Sequence, residues 1–227
     1  MSRYFFSLEE RYLNHLIIHS NDNPASIGLL NGQMGIALTL LHYSRVKNIK
    51  TIKCCFDFLL NNILDNISKE TIFNFGDGLA GIGWGIEYLI QNHYMKGEST
   101  DICQEIDYKL LTIDIDRLED NSLYTGLEGL FTYVIAHIQG GLNSNRQVFD
   151  RAYILKWKSL IEYKLDQAKD FEKFYWQHRY DLFNSIVNGK QICELTLLPF
   201  VKTCNKPSLE NLGLQDGLSG FLELSLY

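Results

Sequence analysis

Residues 73–90, FNFGDGLAGIGWGIEYLI, decide the fold of this chain. In this stretch Asp77 is followed by a Gly-x-x-Gly pattern at Gly78 and Gly81, and then by a run of mostly apolar residues. Two glycines three positions apart lie on one side of the first turn of a helix. Because they carry no Cβ atom, a neighbouring backbone or a ligand can approach them closely. The stretch therefore predicts a buried helix that begins at this turn.

The same pattern occurs in three more segments, which makes it a repeat. The segments are residues 26–43 (SIGLLNGQMGIALTLLHY), 122–137 (SLYTGLEGLFTYVIAH) and 212–227 (LGLQDGLSGFLELSLY). The four glycine pairs are Gly32 and Gly35, Gly78 and Gly81, Gly126 and Gly129, and Gly217 and Gly220. Successive first glycines are 46, 48 and 91 residues apart. Because the last interval is close to twice the others, the spacing predicts a fifth, degenerate unit around residues 171–188.

A polar residue precedes the first glycine of each pair: Asn31, Asp77, Thr125 and Asp216. Such side chains accept hydrogen bonds from the free N–H groups of a helix start, so we predict that each one is an N-cap. Thr125 and Glu128 also have the T-x-x-E spacing of a capping box. The sequence leaves open a second interpretation, in which these side chains stand at the mouth of a central cavity.

Apolar residues at spacings of three and four predict further helices between the repeats. These segments are residues 8–19, 52–67, 102–118 (more broken), 148–168 and 191–204. Alternation of outer and inner helices then gives two helices per repeat. We predict an all-α fold with a single domain over residues 1–227. It would be a toroid-like α/α array of about five helical hairpins, forming an incomplete or small ring.

The composition of the chain limits the classes of partner and the cellular compartment that we expect. The net charge of −6 argues against a nucleic-acid partner, because phosphate binding needs a basic face. No stretch approaches the roughly 18 uncharged apolar residues of a membrane span, and the first residues lack the apolar run of a signal peptide. We therefore expect a cytoplasmic protein without membrane contact. Its five cysteines form no CxxC pair and are expected to stay reduced: Cys54, Cys55, Cys103, Cys193 and Cys204.

The amino-acid sequences of the repeats resemble those of lanthionine synthetase C-like (LanC-like) proteins. FGDGLAGIGWGIEYLI is similar to the inner-helix signature of that family, and GLLNGQMGIALTLLHY and GLQDGLSGFLELSLY are similar to its opening and closing repeats. The resemblance implies a toroid of concentric helices and a role in the maturation of ribosomally made peptides. The full enzymes of the family are cyclases that add a cysteine thiol to a dehydrated serine or threonine. Their zinc ion is held by two cysteines and a histidine in W-C-x-G and C-H-G turns.

This sequence departs from the cyclases at the turns that carry their chemistry. No cysteine directly precedes a Gly-x-x-G, no C-H-G occurs, and Thr125 stands where an acid/base histidine would precede Gly126. We therefore expect a zinc-free accessory or peptide-binding member, with no metal or other cofactor and with no catalytic residue that we can name. Its partner would be a peptide or a modifying enzyme. An incomplete ring would also expose apolar surface, which a second copy of the chain would cover.

Five side chains inside apolar inner helices are further candidates. Glu87 and Glu223 would need a partner or a wet cavity if buried, and an exposed helix edge is the simpler expectation. Trp84, between two glycines, would either line a cavity as a platform or pack in the core. His42 and His137 are interpreted as core histidines rather than metal ligands.

Two other functions stay open at this point. An α/α-toroid enzyme acting on sugars would need paired carboxylates in one cavity, either Asp77 with Glu87 or Asp216 with Glu223. A helical-repeat scaffold for protein interaction would need no cavity. The segment FEKFYWQHRYDLF, residues 171–183, is either an amphipathic helix that covers the array or a surface for peptide or protein contact, since it is rich in aromatic residues and contains an arginine.

Overall fold

The computed structural model describes residues 7–22, 26–68, 70–191, 195–202, 207 and 209–226, with only the backbone of residues 170 and 171. These residues are all-helical, as predicted. The α-helices are α1 Leu8–His19, α2 Gln33–Val46, α3 Lys50–Asn66, α4 Leu79–Gln91, α5 Ser99–Ile102, α6 Gln104–Leu111, α7 Leu127–Asn143, α8 Arg151–Gln167, α9 Asp170–Val187 and α10 Leu218–Ser225. In the described part of the chain, none of them is long and apolar enough to cross a bilayer.

The four inner helices begin at the repeated glycines. The N-caps of α2, α4, α7 and α10 are the glycines themselves: Gly32, Gly78, Gly126 and Gly217. The prediction that Asn31, Asp77, Thr125 and Asp216 are N-caps is therefore wrong by one position, and no capping box forms between Thr125 and Glu128.

The preceding loop does the capping instead. In each repeat the first helical N–H donates to a backbone carbonyl seven residues earlier, at the same distance of 2.9 Å; in α4 this bond joins Leu79 N to Ile72 O. The carbonyl lies so close that a Cβ atom built on Gly78 would be 2.2 Å from it. A residue with a side chain cannot occupy that position, which explains why glycine takes the N-cap.

In three of the four pairs the second glycine receives an apolar side chain from the neighbouring repeat. A Cβ atom built on Gly81 would lie 2.9 Å from the Cβ of Leu29, and one on Gly129 would lie 2.4 Å from the Cβ of Phe75. Gly35 faces Leu214 in the same way. Each of these apolar residues stands three positions before an N-cap glycine, so the same contact is repeated between successive units.

Backbone hydrogen bonds join the turns in the same order. Leu214 N donates to Leu30 O at 2.7 Å, Leu30 N donates to Gly76 O at 2.9 Å, and Gly76 N donates to Tyr124 O at 2.9 Å. The inner helices therefore follow the order α10, α2, α4, α7, so that the last repeat lies beside the first. We call this set of bonds between residues 30, 76, 124 and 214 the turn ladder.

The degenerate fifth unit is confirmed as a helix. It is α9, which packs with α8 against α7 without a glycine turn of its own. The ring of Phe131 on α7 lies 5.2 Å from Phe183 on α9 and 5.2 Å from Trp157 on α8. Aromatic contact thus takes the place of turn-to-turn hydrogen bonds in this unit.

Most outer helices match their predictions, but one does not. Residues 8–19 form α1 and residues 102–118 are broken, whereas the predicted helix over residues 191–204 is wrong where the chain is described. Residues 195–202 contain only the 3-10 turn Leu198–Phe200. Pro199 lacks the N–H of a regular helix, and the ring of Phe200 packs inward at 4.7 Å from Trp84. The segment therefore crosses the inner helices instead of continuing the repeat.

We predict that Gly81→Ala lowers the free energy of unfolding by about 1–3 kcal/mol, because overpacking of this size has that cost. The new Cβ would meet Phe75 O at 2.0 Å, and this carbonyl belongs to a turn that the ladder holds in place. Gly85→Ala on the same helix is the control, since its Cβ would meet only the adaptable side chain of Met34. Urea denaturation of both variants measures the effect, and equal stability of the two would contradict our account of the ladder.

Candidate functional site

Two of the predicted polar candidates meet at the end of the array that carries the turns. The hydroxyl of Tyr124 donates to the carboxylate of Asp77, and the amide Nδ2 of Asn31 donates to the same hydroxyl at 3.1 Å. Burial, together with the Asp77 carboxylate, raises the pKa of Tyr124. The sequence analysis missed Tyr124, although it stands two residues before an N-cap glycine.

The other two turn residues stay apart from this group. The hydroxyl of Thr125 donates to Asp120 within its own loop, and Asp216 is exposed with a left-handed φ of 55°. Local turn geometry explains both side chains. Thr125 and Asp216 therefore share no cavity with the inner-helix carboxylates.

Glu87 lies in a buried network between α4, α6 and α7. Its Oε1 is 2.5 Å from Nδ1 of His137, whose Nε2 is 2.7 Å from Oδ2 of Asp107. Gln91 donates to Oε2 of Glu87 at 2.6 Å, and Tyr133 donates to Asp107 at 2.7 Å. The side chains of Glu87 and His137 are both 0% exposed. The expectation of an exposed helix edge for Glu87 is wrong, because α7 covers it.

The two carboxylates hold a proton on the histidine. Burial alone lowers the pKa of His137, but the hydrogen bonds and charges of Asp107 and Glu87 outweigh it and raise the pKa to about 9. Cys103 lies in the same network, and burial followed by the Glu87 charge raises the pKa of its thiol. The network is therefore an imidazolium between two carboxylates, beside a neutral thiol.

A second histidine–carboxylate pair joins the first and last repeats. Nδ1 of His42 on α2 lies 2.8 and 2.9 Å from the two carboxylate oxygens of Glu223 on α10. Its Nε2 is 2.7 Å from the hydroxyl of Tyr88 on α4. Because Glu223 is 1% exposed, the expectation of an exposed edge is wrong here too. The interpretation of both histidines as satisfied core residues agrees with these contacts.

A cavity of about 530 Å³ lies between α7, α9 and residues 195–200. Its apolar wall includes Trp84, Ile135, Leu182 and Phe200, and its polar wall includes Glu128, Thr132, Tyr175, His178 and Arg179. The cavity thus brings together two features that the sequence gives separately, the Trp84 platform and the aromatic segment of α9. Trp84 itself is only 2% exposed, so it also packs in the core.

One charged pair gives this cavity its polarity. Nε of Arg179 is 3.3 Å from Oε1 of Glu128, and Nη2 of Arg179 donates to Thr132 at 2.7 Å. The other carboxylate oxygen of Glu128, Oε2, is buried and accepts no hydrogen bond from the described residues. Burial, with the charge of Glu128, raises the pKa of Tyr175. Glu128 is therefore part of the cavity wall rather than a capping residue.

We predict that His137→Phe lowers the free energy of unfolding by about 3–5 kcal/mol, because it leaves the buried Glu87 and the partly buried Asp107 without their shared cation. His42→Phe is the matched variant. The loss of stability in this variant should be smaller. It removes the partner of one carboxylate, Glu223, instead of two, and the His42 ring that it replaces is 8% exposed. Denaturant unfolding of the two variants measures the difference, and a larger loss for His42→Phe would refute this ranking.

Comparison of the chain with protein-family models, with curated proteins and with solved structures finds no match.

Proposed function

We propose that this chain is a LanC-like protein of a peptide-modification system that binds peptide rather than closing thioether rings. The single observation that carries the proposal is the cavity between α7, α9 and residues 195–200. Trp84 and Phe200 form its aromatic wall, and their rings lie 4.7 Å apart, edge to face. We propose a cytoplasmic location and, from the resemblance to LanC-like proteins, a peptide or modifying-enzyme partner.

The chemistry of the cavity suits one side chain of a peptide. Binding pockets are mostly apolar, with a few placed polar groups, and a volume of about 530 Å³ falls in their usual range. An aromatic or aliphatic side chain would pack against Trp84 and Phe200. The unbonded Oε2 of Glu128 would accept a hydrogen bond from a peptide N–H, and this bond would compensate the cost of burying that oxygen.

The residues at the turns favour peptide binding over thioether cyclisation. The family's zinc would require cysteine and histidine at the starts of inner helices, whereas Asn31 and Asp77 occupy such positions and are tied together by Tyr124. Cys54 and Cys55 lie on the outer helix α3, and Cys103 is buried between α5 and α6. Cys193 and Cys204 lie outside the described residues.

The geometry gives less support to a sugar hydrolase. Asp77 contacts Tyr124 at the start of α4, whereas Glu87 contacts His137 near the end of that helix. The helical rise from Leu79 to Glu87 alone is roughly 12 Å, which exceeds the roughly 5–9.5 Å between the two carboxylates of glycosidases.

Titration with short capped peptides tests the proposal. The peptides contain Ser, Thr and Cys around one central residue, which is Phe, Leu or Asp. The protein is ¹⁵N-labelled, and NMR shift changes report where each peptide binds. We expect the Phe and Leu peptides to bind and to shift resonances of Trp84, Thr132 and Arg179, whereas the Asp peptide does not.

Thr196→Trp places a large ring at the mouth of the cavity and should weaken binding roughly tenfold or more, which corresponds to about 1.4 kcal/mol. Tyr163→Trp on the outer face of α8 is the control, because this side chain is 60% exposed and does not line the cavity. If none of the peptides binds, or if both tryptophan variants bind like the unmodified protein, the proposal is wrong.

A further inference from the structure

Three different metal-ligating side chains converge at the end of the array opposite the turn ladder. They are Glu87 on α4, Cys103 between α5 and α6, and His137 on α7. One ligand atom from each lies within 4.8 Å of the others. All three residues are buried, with 0% exposure.

The types of these atoms identify the class of ligand. A thiolate sulfur, an imidazole nitrogen and a carboxylate oxygen together suit zinc and similar divalent transition metals. Magnesium and calcium prefer oxygen ligands alone. We propose that Glu87, Cys103 and Nδ1 of His137 bind one such ion, most naturally Zn²⁺.

The second nitrogen of the histidine supports this assignment. Metal-bound histidines usually donate their other N–H to a carboxylate, which fixes the ring and its tautomer. Nε2 of His137 is 2.7 Å from Oδ2 of Asp107, while Oδ1 of Asp107 accepts from the hydroxyl of Tyr133 at 2.7 Å. The ring is thus already held with Nδ1 directed at Glu87.

The carboxylate is held in place in a similar way. Gln91 donates both to Oε2 of Glu87 at 2.6 Å and to Ala136 O at 2.8 Å, and so connects α4 with α7. Gly140 on α7 makes room for the carboxylate, since a Cβ atom there would lie 2.1 Å from Oε2. Oε1 is left to face His137.

The net charge of the buried cluster stays the same when the ion binds. The ion replaces the proton between Nδ1 of His137 and Oε1 of Glu87, and the thiol of Cys103 loses its proton to become a thiolate ligand. Two protons leave and two positive charges enter, so the buried cluster gains no net charge. Binding therefore avoids the large cost of an uncompensated buried charge.

This site is independent of the zinc that the family resemblance implies. It uses other residues and lies away from the Gly-x-x-Gly turns. The sequence-based expectation of no metal came from the missing cysteine turns and from the interpretation of His137 as a core histidine, and the proposal revises the second of these. Because the ligands come from α4, α7 and the α5–α6 junction, the ion would act by holding these elements together.

Cobalt provides the direct probe. We expect tag-free, reduced protein to take up one Co²⁺ per chain and to show the intense near-ultraviolet band of a cobalt–thiolate bond together with tetrahedral visible bands. Zn²⁺ should displace the cobalt and raise the Tm. Elemental analysis after dialysis against Zn²⁺ gives the stoichiometry.

Isosteric variants assign the ligands. Cys103→Ser should abolish the thiolate band, and Glu87→Gln should weaken Zn²⁺ binding at least tenfold. Cys54→Ser, on an exposed thiol, should change neither. His19→Ala tests the exposed His15 and His19 rings, which lie 4.2 Å apart and offer a surface site for adventitious metal.

Circular dichroism establishes that each variant is folded before metal is added. The proposal is overturned if the unmodified protein takes up no Co²⁺ with a thiolate band. It is also overturned if His19→Ala abolishes uptake or if a folded Cys103→Ser retains the band. Should Cys103→Ser fail to fold, the response of Glu87→Gln decides the question.

Discussion

Close backbone contact between successive turns is the constraint on which the rest of the structure depends. The turn ladder needs the N–H and C=O groups of residues 30, 76, 124 and 214 within hydrogen-bond distance of one another. That approach is possible only because the facing positions, such as Gly81 and Gly129, carry no Cβ atom. Each glycine costs helix stability of about 1 kcal/mol relative to alanine, and the apolar side chain packed against it offsets that loss. The ladder fixes both the spacing and the order of the inner helices.

Because of this packing, the two ends of the inner helices differ in how far their polar residues are exposed. At the turn end, loops reach solvent and polar residues such as Asn31 and Asp77 stay partly exposed. Farther along, the same helices lie against one another, so an ionisable group on one must find its partner on the next. Glu87 with His137 and Glu223 with His42 meet that requirement. Both pairs link neighbouring inner helices, which makes each of them a buried electrostatic contact between repeats.

The proposed binding cavity lies where the repeat pattern fails. Helix α9 has no glycine turn and does not join the turn ladder, and it packs against α7 through aromatic rings. Residues 195–202 then cross the inner helices and bring Phe200 against Trp84. Arg179 and Glu128 form an ion pair in the wall of the remaining space. The cavity that we propose as a binding site thus lies beside the irregular unit.

The helical class, the starts of the four glycine-led helices to within one residue, and the helix in the degenerate unit could all be predicted from the sequence. These are local properties, set by glycine spacing and by apolar periodicity. Only the tertiary structure decided that a carbonyl caps each inner helix, that residues 195–202 are not helical, and that Glu87 and Glu223 are buried with histidines 50 and 181 residues away. Such pairings depend on which helices become neighbours in space, and no local pattern in the chain encodes that choice.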